Sequence, residues 1–378
     1  MENLTQNIKD LMDNYIAPGY PPGVAVAAYI SGKESLELTL GRGLANKESG
    51  LKAGPEVIFE LGSVTKVFTA TFLALRPSLL NDPLSKHLPV KIHNPLVEQV
   101  TLKQLATHIA GFPEDVPEEF GGDGRDGAIY LFQDQAPPVC SALEKFWNEW
   151  NPTDKRGNNY CWPCQVGTCW QYSNVGFVTL GYAVAGAQYN TQLTAQITGP
   201  QQLNMPSTGA QPPSGAKLAQ GYLKNGKAAP GEAPDLKSNA LDMLIWLKAQ
   251  LNSIKMSSPL NRAIMATHDL YFTSAQQCQC VQSKHPIQFN MGLGWQIRAL
   301  QMQGTSQNLY AKDGVSGLGG QSCWMGFVPD QNAGVVVLTN GVGADEPPAA
   351  LGLQILDTLL GLPVSVRPPE QGQANRNL

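Results

Sequence analysis

The sequence has no apolar run long enough to cross a membrane. A membrane-spanning helix needs about 20 consecutive apolar residues, whereas the longest apolar stretches here, such as GVAVAAYI and GVVVLTN, have the length of a strand. The N-terminal segment MENLTQNIKDLMDNYI is amphipathic and mixed in charge, so it lacks the basic region and apolar core of a secretory signal. We therefore expect no membrane span, and either a cytoplasmic protein or one whose leader is absent from this chain.

The sequence also lacks an excess of charge of either sign. Its net charge is −4, and 15% of its residues are charged. Nucleic acids and anionic membranes attract basic proteins, so neither is expected as a partner. At 42% hydrophobic residues, the 378-residue chain can bury a sizeable core. A length of roughly 150 residues per domain suggests one large domain or two intertwined ones.

The seven cysteines are unevenly placed, and four of them fall within one short region: Cys140, Cys161, Cys164 and Cys169. No second C-x-x-C accompanies Cys161 and Cys164, which argues against a zinc site. The stretch CWPC follows no βαβ pattern, which argues against a thioredoxin-type redox motif. Disulfides that brace an inserted loop are the favoured interpretation, and they favour a periplasmic or secreted protein.

The hydrophobic pattern changes twice along the chain. Residues 4–16 have apolar side chains at helical spacing, and GVAVAAYISGKESLELTLGRGLANKE predicts a β-hairpin. Residues 79–224 are rich in proline and glycine and contain short helical pieces, after which the sequence returns to strands and a final helix. We expect a discontinuous α/β domain formed by 1–78 and 225–365, an inserted mostly helical domain at 79–224 that includes the cysteine-rich insertion, and a flexible tail at 366–378.

The stretch ELGSVTKVFTA places Ser63 three residues before Lys66 at the predicted start of a buried helix. Residues at this spacing share a helix face, so the lysine amine can reach the serine hydroxyl. Apolar neighbours disfavour the ammonium and let a lysine act as a base. The alternative is a helix-capping serine followed by an ordinary lysine. The pattern alone is weak, because Ser214 and Lys217 repeat it in a turn-like stretch.

Two further stretches support a nucleophile at this position. WQYSNVGF contains Y-x-N at Tyr172–Asn174, and LYAKDGVSG contains K-x-G at Lys312–Gly314 on a predicted strand. K-x-G also occurs at Lys224–Gly226, where GYLKNGK predicts a hairpin turn. The order S-x-x-K, Y-x-N and K-[TS]-G resembles that of the penicillin-recognising serine hydrolases, which include class C β-lactamases, D,D-peptidases and β-lactamase-like esterases. The resemblance covers most of residues 20–360, and FELGSVTKVFTA and WQYSNVGF are most similar to the class C enzymes.

The resemblance implies an α+β fold in which helices flank an antiparallel sheet and a mostly helical domain is inserted. It also implies an acyl-enzyme mechanism that uses no metal and no cofactor. In that mechanism Ser63 would attack a carbonyl and Lys66 would hold or accept its proton. Tyr172 would pass the proton to the leaving group, and Lys312 would supply positive charge beside Tyr172 and the substrate.

The same resemblance implies the residues that bind the substrate. Asn174 would orient Lys66 and bind a substrate amide. The oxyanion hole would use the backbone N–H groups of Ser63 and of Val315, with Gly314 next to the latter.

The resemblance bears differently on Tyr222 and His108. Tyr222 matches a tyrosine that lines the class C pocket, although it is equally interpretable as an aromatic residue packed in a hairpin. The mechanism needs no histidine, so His108 in LATHIAG is expected to be structural.

The sequence departs from the resembled pattern at groups that would meet a substrate. The middle residue of K-[TS]-G is Asp313 instead of a hydroxyl residue, and an aspartate repels a substrate carboxylate. FPEDVPEEF contains Glu114 and Asp115 where class C enzymes usually have a glutamine that faces the acylamino side chain. Alternatively, Asp313 points away from the substrate or pairs with a nearby lysine.

These observations predict a serine hydrolase that forms an acyl-enzyme with an amide or an ester, with β-lactams among the candidate substrates. An esterase, a transesterase or a D-amino-acid peptidase of the same fold is the first alternative, because Asp313 and Asp115 could each meet a substrate ammonium. A non-catalytic binding protein is the second alternative, and the intact motifs argue against it. We expect a monomer whose partner is a small-molecule or peptide substrate.

Overall fold

The structure is a computed structural model that describes residues 2–32, 35–122, 131, 141–151, 166–252, 254, 256–277, 287–302 and 304–364. The predicted tail and three of the clustered cysteines, Cys140, Cys161 and Cys164, lie outside these residues. The tail and the disulfides therefore stay predictions. Of the cysteines inside the described ranges, Cys169 is buried, and Cys323 is buried and carries a free thiol.

The described helices and strands follow the pattern expected from the sequence. The helices are α1 (Glu2–Ile16), α2 (Thr65–Ala74), α3 (Pro95–Glu98), α4 (Leu102–Ala106), α5 (Ser141–Glu149), α6 (Asn174–Ala185), α7 (Tyr189–Leu193), α8 (Ala240–Gln250), α9 (Ser258–Ala266) and α10 (Pro348–Leu359). The strands are β1 (Gly23–Ile30), β2 (Leu36–Asn46), β3 (Leu51–Lys52), β4 (Phe59–Glu60), β5 (Lys237–Ser238), β6 (Asn290–Met291), β7 (Gln296–Met302), β8 (Thr305–Ser316), β9 (Gln321–Val328) and β10 (Ala333–Thr339). Among the described residues, no helix has the length and apolarity needed to cross a membrane.

The chain divides into two compact units. The first unit comprises Met1–Thr65, Thr198–Met256 and Ala299–Leu378, and the second comprises Lys66–Ile197 and Ser257–Arg298. The predicted insertion at 79–224 and the second unit share residues 79–197.

The first unit contains a sheet in which β3, β2, β1, β10, β9, β8 and β7 lie side by side in that order. The predicted N-terminal hairpin is confirmed, because β1 and β2 pair antiparallel. On one face, the paired residues Val26 and Val337 are buried against Ile8 and Met12 of α1 and Leu356 of α10. Burying an apolar side chain of this kind stabilises a fold by about 1.5–3 kcal/mol. The predicted antiparallel sheet with flanking helices is therefore confirmed.

Helix α8 covers the opposite face of the same sheet, where it contacts β1 and β10. Small residues let this helix approach closely. Ala25 and Ala27 alternate with the larger valines of β1, and a Cβ at Gly334 would lie 2.6 Å from Cδ1 of Leu247 in α8. Because both faces are covered, β1 is apolar along its whole length instead of alternating between apolar and polar residues.

The second unit is mostly helical in its described part. Hydrogen bonds between buried side chains join its helices: the hydroxyls of Thr69 and Tyr189 lie 2.6 Å apart, and Trp147 Nε1 donates to Thr179 Oγ1 at 2.9 Å. Helix α6 is buried along most of its length. An apolar cluster that includes Tyr172 lies in this unit.

A buried asparagine closes the end of β10 in the first unit. Asn340 Nδ2 donates to the carbonyls of Leu44, Ala45 and Gln220 at 3.0–3.1 Å, and its Oδ1 accepts from the N–H of Gly23 at 2.8 Å. One side-chain amide thus satisfies backbone groups at the start of β1, near the end of β2 and around Gln220. Buried backbone groups of this kind are costly when they are left without partners.

Replacing Asn340 with aspartate should destabilise the first unit without changing the shape of the side chain. Asn340→Asp turns the donor that faces three carbonyls into an acceptor, so we expect the free energy of unfolding to fall by about 3 kcal/mol or more in urea titrations. Asn225→Asp is the matched control, because Asn225 is exposed and its Oδ1 accepts from the Lys227 N–H, which a carboxylate does equally well. Equal stability of the two variants would contradict this role of Asn340.

Candidate active site

Ser63 lies in a 3-10 turn, Gly62–Val64, directly before α2; we call this segment the nucleophile turn. In the stretch from Val57 to Ala74, which the structure describes throughout, every residue is buried except Ser63, which is partly exposed. The segment therefore presents its predicted nucleophile to the outside while its neighbours are packed. Within the apolar stretch VIFELGS, only β4 (Phe59–Glu60) is a strand before the chain turns.

Two glycines let the nucleophile turn approach strand β8. Gly62 has φ +47°, a left-handed conformation that glycine adopts without strain, and a Cβ there would lie 2.6 Å from the Val315 nitrogen. A Cβ at Gly314 would lie 2.2 Å from the Leu61 carbonyl oxygen and 2.5 Å from Cys323 Sγ. The Cys323 thiol donates to that same carbonyl at 3.0 Å. The backbone of Val315 is thus held directly against the turn.

Glu60 anchors the chain just before the nucleophile turn. Its buried carboxylate accepts hydrogen bonds from the Ser316 hydroxyl and, at 3.2 Å, from the Ala233 N–H. Its own N–H donates to Gln321 Oε1 at 3.1 Å. Burial raises the pKa of Glu60, and the Ser316 hydrogen bond and the charge of Lys237 oppose that change. The turn is therefore tied to both ends of the link between β8 and β9.

Lys312 and Asp313 lie on opposite faces of β8, since alternate residues of a strand point in opposite directions. Lys312 is 3% exposed and shares its face with Gly314, which faces the nucleophile turn. Asp313 is partly exposed and pairs with Trp324 of β9, so these two side chains leave the sheet on the other face. The lysine is therefore on the side of the strand that carries the nucleophile turn, and a substrate contact of Asp313 stays a prediction.

In the second unit, a network joins Lys66 to two residues of the Y-x-N motif. Lys66 is 8% exposed, and its Nζ donates to Asn174 Oδ1 at 2.8 Å. The same Nζ lies over the Tyr172 and Phe177 rings, at 5.0 and 5.9 Å from their centroids. Asn174 Nδ2 donates to Asp115 Oδ1 at 2.9 Å, which fixes the amide with its oxygen toward the ammonium. Motifs far apart in the sequence thus meet around one lysine.

The start of α6 explains how Asn174 is held. Ser173 caps the helix, and its Oγ accepts from the Gly176 N–H at 2.8 Å. The N–H groups of Asn174 and Val175 donate to the carbonyl of Glu114 at 2.7 and 3.2 Å. Because these backbone donors are satisfied from the loop before Asp115, the loop and the Y-x-N segment form one local structure.

The structure places Tyr222 in the interior of the first unit. It is 0% exposed, its hydroxyl donates to Glu48 Oε2 at 2.5 Å and accepts from the Lys47 N–H at 2.7 Å. The Lys47 ammonium lies 4.5 Å from the ring centroid. Burial, followed by the hydrogen bond to Glu48, raises the pKa of Tyr222 to about 12. These contacts favour the packed aromatic residue over the pocket-lining one.

The second copy of S-x-x-K, at Ser214–Lys217, and the second copy of K-x-G, at Lys224–Gly226, lie in turns. The Ala216 N–H donates to the Pro213 carbonyl at 3.1 Å around Ser214, and the Gly226 N–H donates to the Leu223 carbonyl at 2.7 Å. Lys217, the lysine of the second S-x-x-K, pairs with Glu56 at 2.9 Å on the surface. The predicted turns are therefore confirmed.

Sequence reasoning missed several residues around the nucleophile turn and around Lys66. Glu60 carried a signal, because it is a charged residue inside an apolar run. Cys323 and Phe177 carried none, because they are ordinary residues of a buried strand and a buried helix. Within the described ranges, no group of three or more His, Cys, Asp or Glu side chains is arranged to hold a metal ion.

Comparison with known proteins gives consistent matches over the whole chain. A family model described as Beta-lactamase matches residues 4–360. A curated beta-lactamase of Pseudomonas fluorescens is 26% identical over 379 residues, which is 88% of this chain and 94% of that protein.

Solved structures show the same fold at lower identity. A class C beta-lactamase matches with a TM-score of 0.72 at 20% identity, over 96% of this chain and 98% of that one. A D-alanine carboxypeptidase AmpC of Burkholderia cenocepacia matches with a TM-score of 0.71 at 23% identity, over 94% of this chain and 99% of that one. These likenesses confirm the predicted fold.

Adding one methyl group at Gly314 should impair catalysis by displacing the nucleophile turn. Gly314→Ala forces the Leu61 carbonyl to move, and losing the alignment of one backbone donor typically lowers kcat about 10²-fold or more. Hydrolysis of a nitrophenyl ester and thermal unfolding would measure the effect. Gly231→Ala is the control, because a Cβ at this exposed glycine meets nothing within 4 Å. Unchanged hydrolysis by Gly314→Ala would show that catalysis does not need the close contact between the nucleophile turn and β8.

Proposed function

Because the chain belongs to the Beta-lactamase family, we propose that it is a serine hydrolase that forms an acyl-enzyme on Ser63 and then releases the acyl group to water. The observation that carries the proposal is the network around Lys66, whose Nζ donates to Asn174 Oδ1 at 2.8 Å and lies 5.0 Å from the centroid of the Tyr172 ring. A nearly buried lysine three residues after a partly exposed serine is what an activated serine nucleophile requires.

In the acylation step, Ser63 Oγ attacks the carbonyl carbon of an amide or ester. A bond forms between Oγ and carbon, and the serine proton passes to Lys66 or Tyr172. The carbonyl electron pair moves onto oxygen, where the N–H groups of Ser63 and Val315 stabilise it. When the carbonyl re-forms, the bond to the leaving group breaks, and Tyr172 delivers the proton to that group. Water then attacks the ester carbonyl and gives its proton to Lys66 or Tyr172; the bond between carbon and Ser63 Oγ breaks, and Oγ takes the proton back.

The packing of the nucleophile turn supports the oxyanion role of Ser63 and Val315. Gly62 and Gly314 allow the turn and β8 to approach without side chains between them. Donors fixed in this way do not reorganise during the reaction, and each one typically contributes about 3–4 kcal/mol to transition-state stabilisation. Lys312 adds a positive charge on the same face of β8.

An esterase or a D-amino-acid peptidase is the second candidate, favoured by two partly exposed carboxylates. Asp115 is held by Asn174 at 2.9 Å, close in the hydrogen-bond network to Lys66, and Asp313 replaces the usual hydroxyl residue of K-[TS]-G. A carboxylate near the substrate favours a substrate ammonium and disfavours a substrate carboxylate, and Asp313, which leaves β8 on the face away from the nucleophile turn, acts at longer range than a direct contact. A binding protein without catalysis is disfavoured, because Lys66, Tyr172 and Asn174 retain the contacts that proton transfer needs.

We further propose that the protein acts as a monomer outside the cytoplasm, without a cofactor, on a small-molecule or peptide substrate. The clustered cysteines support this location, since disulfides that brace the insertion form in oxidising compartments. No cofactor is needed because Lys66 and Tyr172 together provide for proton transfer. The inserted and discontinuous domains are proposed with the boundaries given above.

Covalent labelling tests the nucleophile directly. A fluorophosphonate probe should label the native protein on Ser63, and Ser63→Ala should abolish that label because the attacking oxygen is gone. Ser214→Ala is the matched control and should label as the native protein does, since Ser214 lies in a turn. Persistent labelling of Ser63→Ala, or a label mapped to Ser214 by mass spectrometry, would refute the assignment.

The charge at position 313 should determine which substrates are preferred. Two carboxylates ~4 Å apart repel by about 1–4 kcal/mol, roughly a five- to several-hundred-fold effect on rate, and this is the upper limit for Asp313, because its side chain leaves β8 on the face away from the nucleophile turn. Asp313→Thr should therefore raise kcat/KM for a penicillin and lower it for an ester that carries a free amine. If kcat/KM stays unchanged for both the penicillin and the amine-bearing ester, Asp313 does not meet the substrate and the chain should be assigned to ordinary β-lactam hydrolysis.

A further inference from the structure

His108 holds the backbone on both sides of Tyr172. Its carbonyl accepts the N–H of Gln171 at 2.7 Å, and its Nδ1 accepts the N–H of Ser173 at 3.1 Å. The ring of His108 also lies against the Tyr172 ring, with centroids 4.7 Å apart. From this geometry we infer that His108 is a positioning residue that fixes Tyr172 for proton transfer, and that it does so only while Nδ1 is unprotonated.

The backbone of His108 supports a role beyond filling space. Its φ of +60° is left-handed, which is uncommon for residues other than glycine and is best tolerated by Asn, Asp and His. Such conformations are strained and persist where the surroundings fix them, often at functional sites. Here the residue is 2% exposed, and the Phe177 and Trp170 rings lie 4.9 and 5.9 Å from its ring.

The direction of the hydrogen bond to Ser173 determines the protonation state of His108. A backbone N–H can only donate, so Nδ1 must present its lone pair, and any ring proton sits on Nε2. In an imidazolium both ring nitrogens are donors. Protonation would therefore place two N–H groups face to face, break the bond to Ser173 and release one side of the Tyr172 segment.

The charged groups around His108 come from several elements. Lys66 of α2 lies over the Tyr172 ring, which contacts His108, and Asp115 is linked to Lys66 through Asn174. On the outer sides, Lys103 of α4 donates to Asn81 at 2.8 Å, and Arg298 stacks on Phe289 beside Trp170. Lys66 is the charged group on the Tyr172 side of His108. Protonating His108 would therefore place a second positive charge next to the Tyr172 ring.

The inference rests on the proposed function, in which Tyr172 carries the proton. A displacement of about 1 Å at a reacting group typically costs about 10²-fold in rate. Losing the bond to Ser173 should therefore lower the rate of acylation much more than it lowers stability or substrate binding.

Two substitutions separate the hydrogen-bond acceptor from the backbone conformation. Asparagine and glycine both adopt the left-handed conformation, but only asparagine offers an acceptor at the position of Nδ1. We expect His108→Asn to acylate with a nitrophenyl ester within about tenfold of the native rate, and His108→Gly to lose about 10²-fold in kcat with little change in KM. Thermal unfolding of both variants would show whether the loss exceeds a change in stability.

The pH dependence of acylation gives a test that does not depend on the glycine variant. The native rate should fall on the acid side as His108 becomes protonated, and His108→Asn should keep its rate to lower pH, since asparagine does not titrate. His268→Asn is the control, because it removes a histidine whose ring packs against Trp295 in another part of the unit. The control should follow the native profile.

The outcomes distinguish this inference from the proposed function. Equal kcat values for His108→Asn and His108→Gly, or an acid limb that His108→Asn leaves in place, would overturn the positioning role. A native protein that is not labelled on Ser63 would instead overturn the proposed function. Native labelling together with a shifted acid limb in His108→Asn alone would support both.

Discussion

The close approach between the nucleophile turn and strand β8 is the constraint on which the position of Ser63 depends. Backbone meets backbone there, since neither Gly62 nor Gly314 has room for a side chain. Around this contact, the Cys323 thiol donates a hydrogen bond to the Leu61 carbonyl, and the Glu60 carboxylate accepts one from the Ser316 hydroxyl. A turn that is fixed on every side can present one partly exposed residue in a fixed direction.

A different physical problem is solved in the second unit, where a lysine is almost buried. Removing an ammonium from water is costly unless polar partners replace the water. Lys66 meets a neutral amide oxygen and two ring faces, and the carboxylate of Asp115 lies one residue further along the network. A neutral amide and two ring faces therefore take the place of water around the amine.

The sequence predicted the local elements well because periodicity and turn residues are local properties. The N-terminal helix, the first hairpin and the turns at Ser214 and Gly226 all follow from neighbouring residues. The apolar pattern before Ser63 does not show where β4 ends, because the turn that follows depends on the contact of Gly62 with β8, which no local pattern records. Tyr222 was ambiguous for the same reason, since its partners Glu48 and Lys47 lie far away in the chain.

The motifs identified the reacting side chains but not the groups that hold them. Lys66 and Asn174 are separated by 108 residues, and Asn174 and Asp115 by 59. Spacing alone could not predict that an aspartate fixes the asparagine, or that the histidine of LATHIAG bonds to both neighbours of Tyr172. Such contacts arise from tertiary packing, and a buried histidine looks the same in sequence whether it fills space or orients a neighbour.

The alternation of side chains along β8 has a practical consequence for mutagenesis of this strand. Gly314 faces the nucleophile turn and tolerates no added atom, whereas Asp313 leaves the strand on the other face and is partly exposed. Libraries that vary position 313 alone can therefore explore charge and size without disturbing the position of Ser63. Libraries that vary the neighbouring glycine would consist mostly of inactive clones.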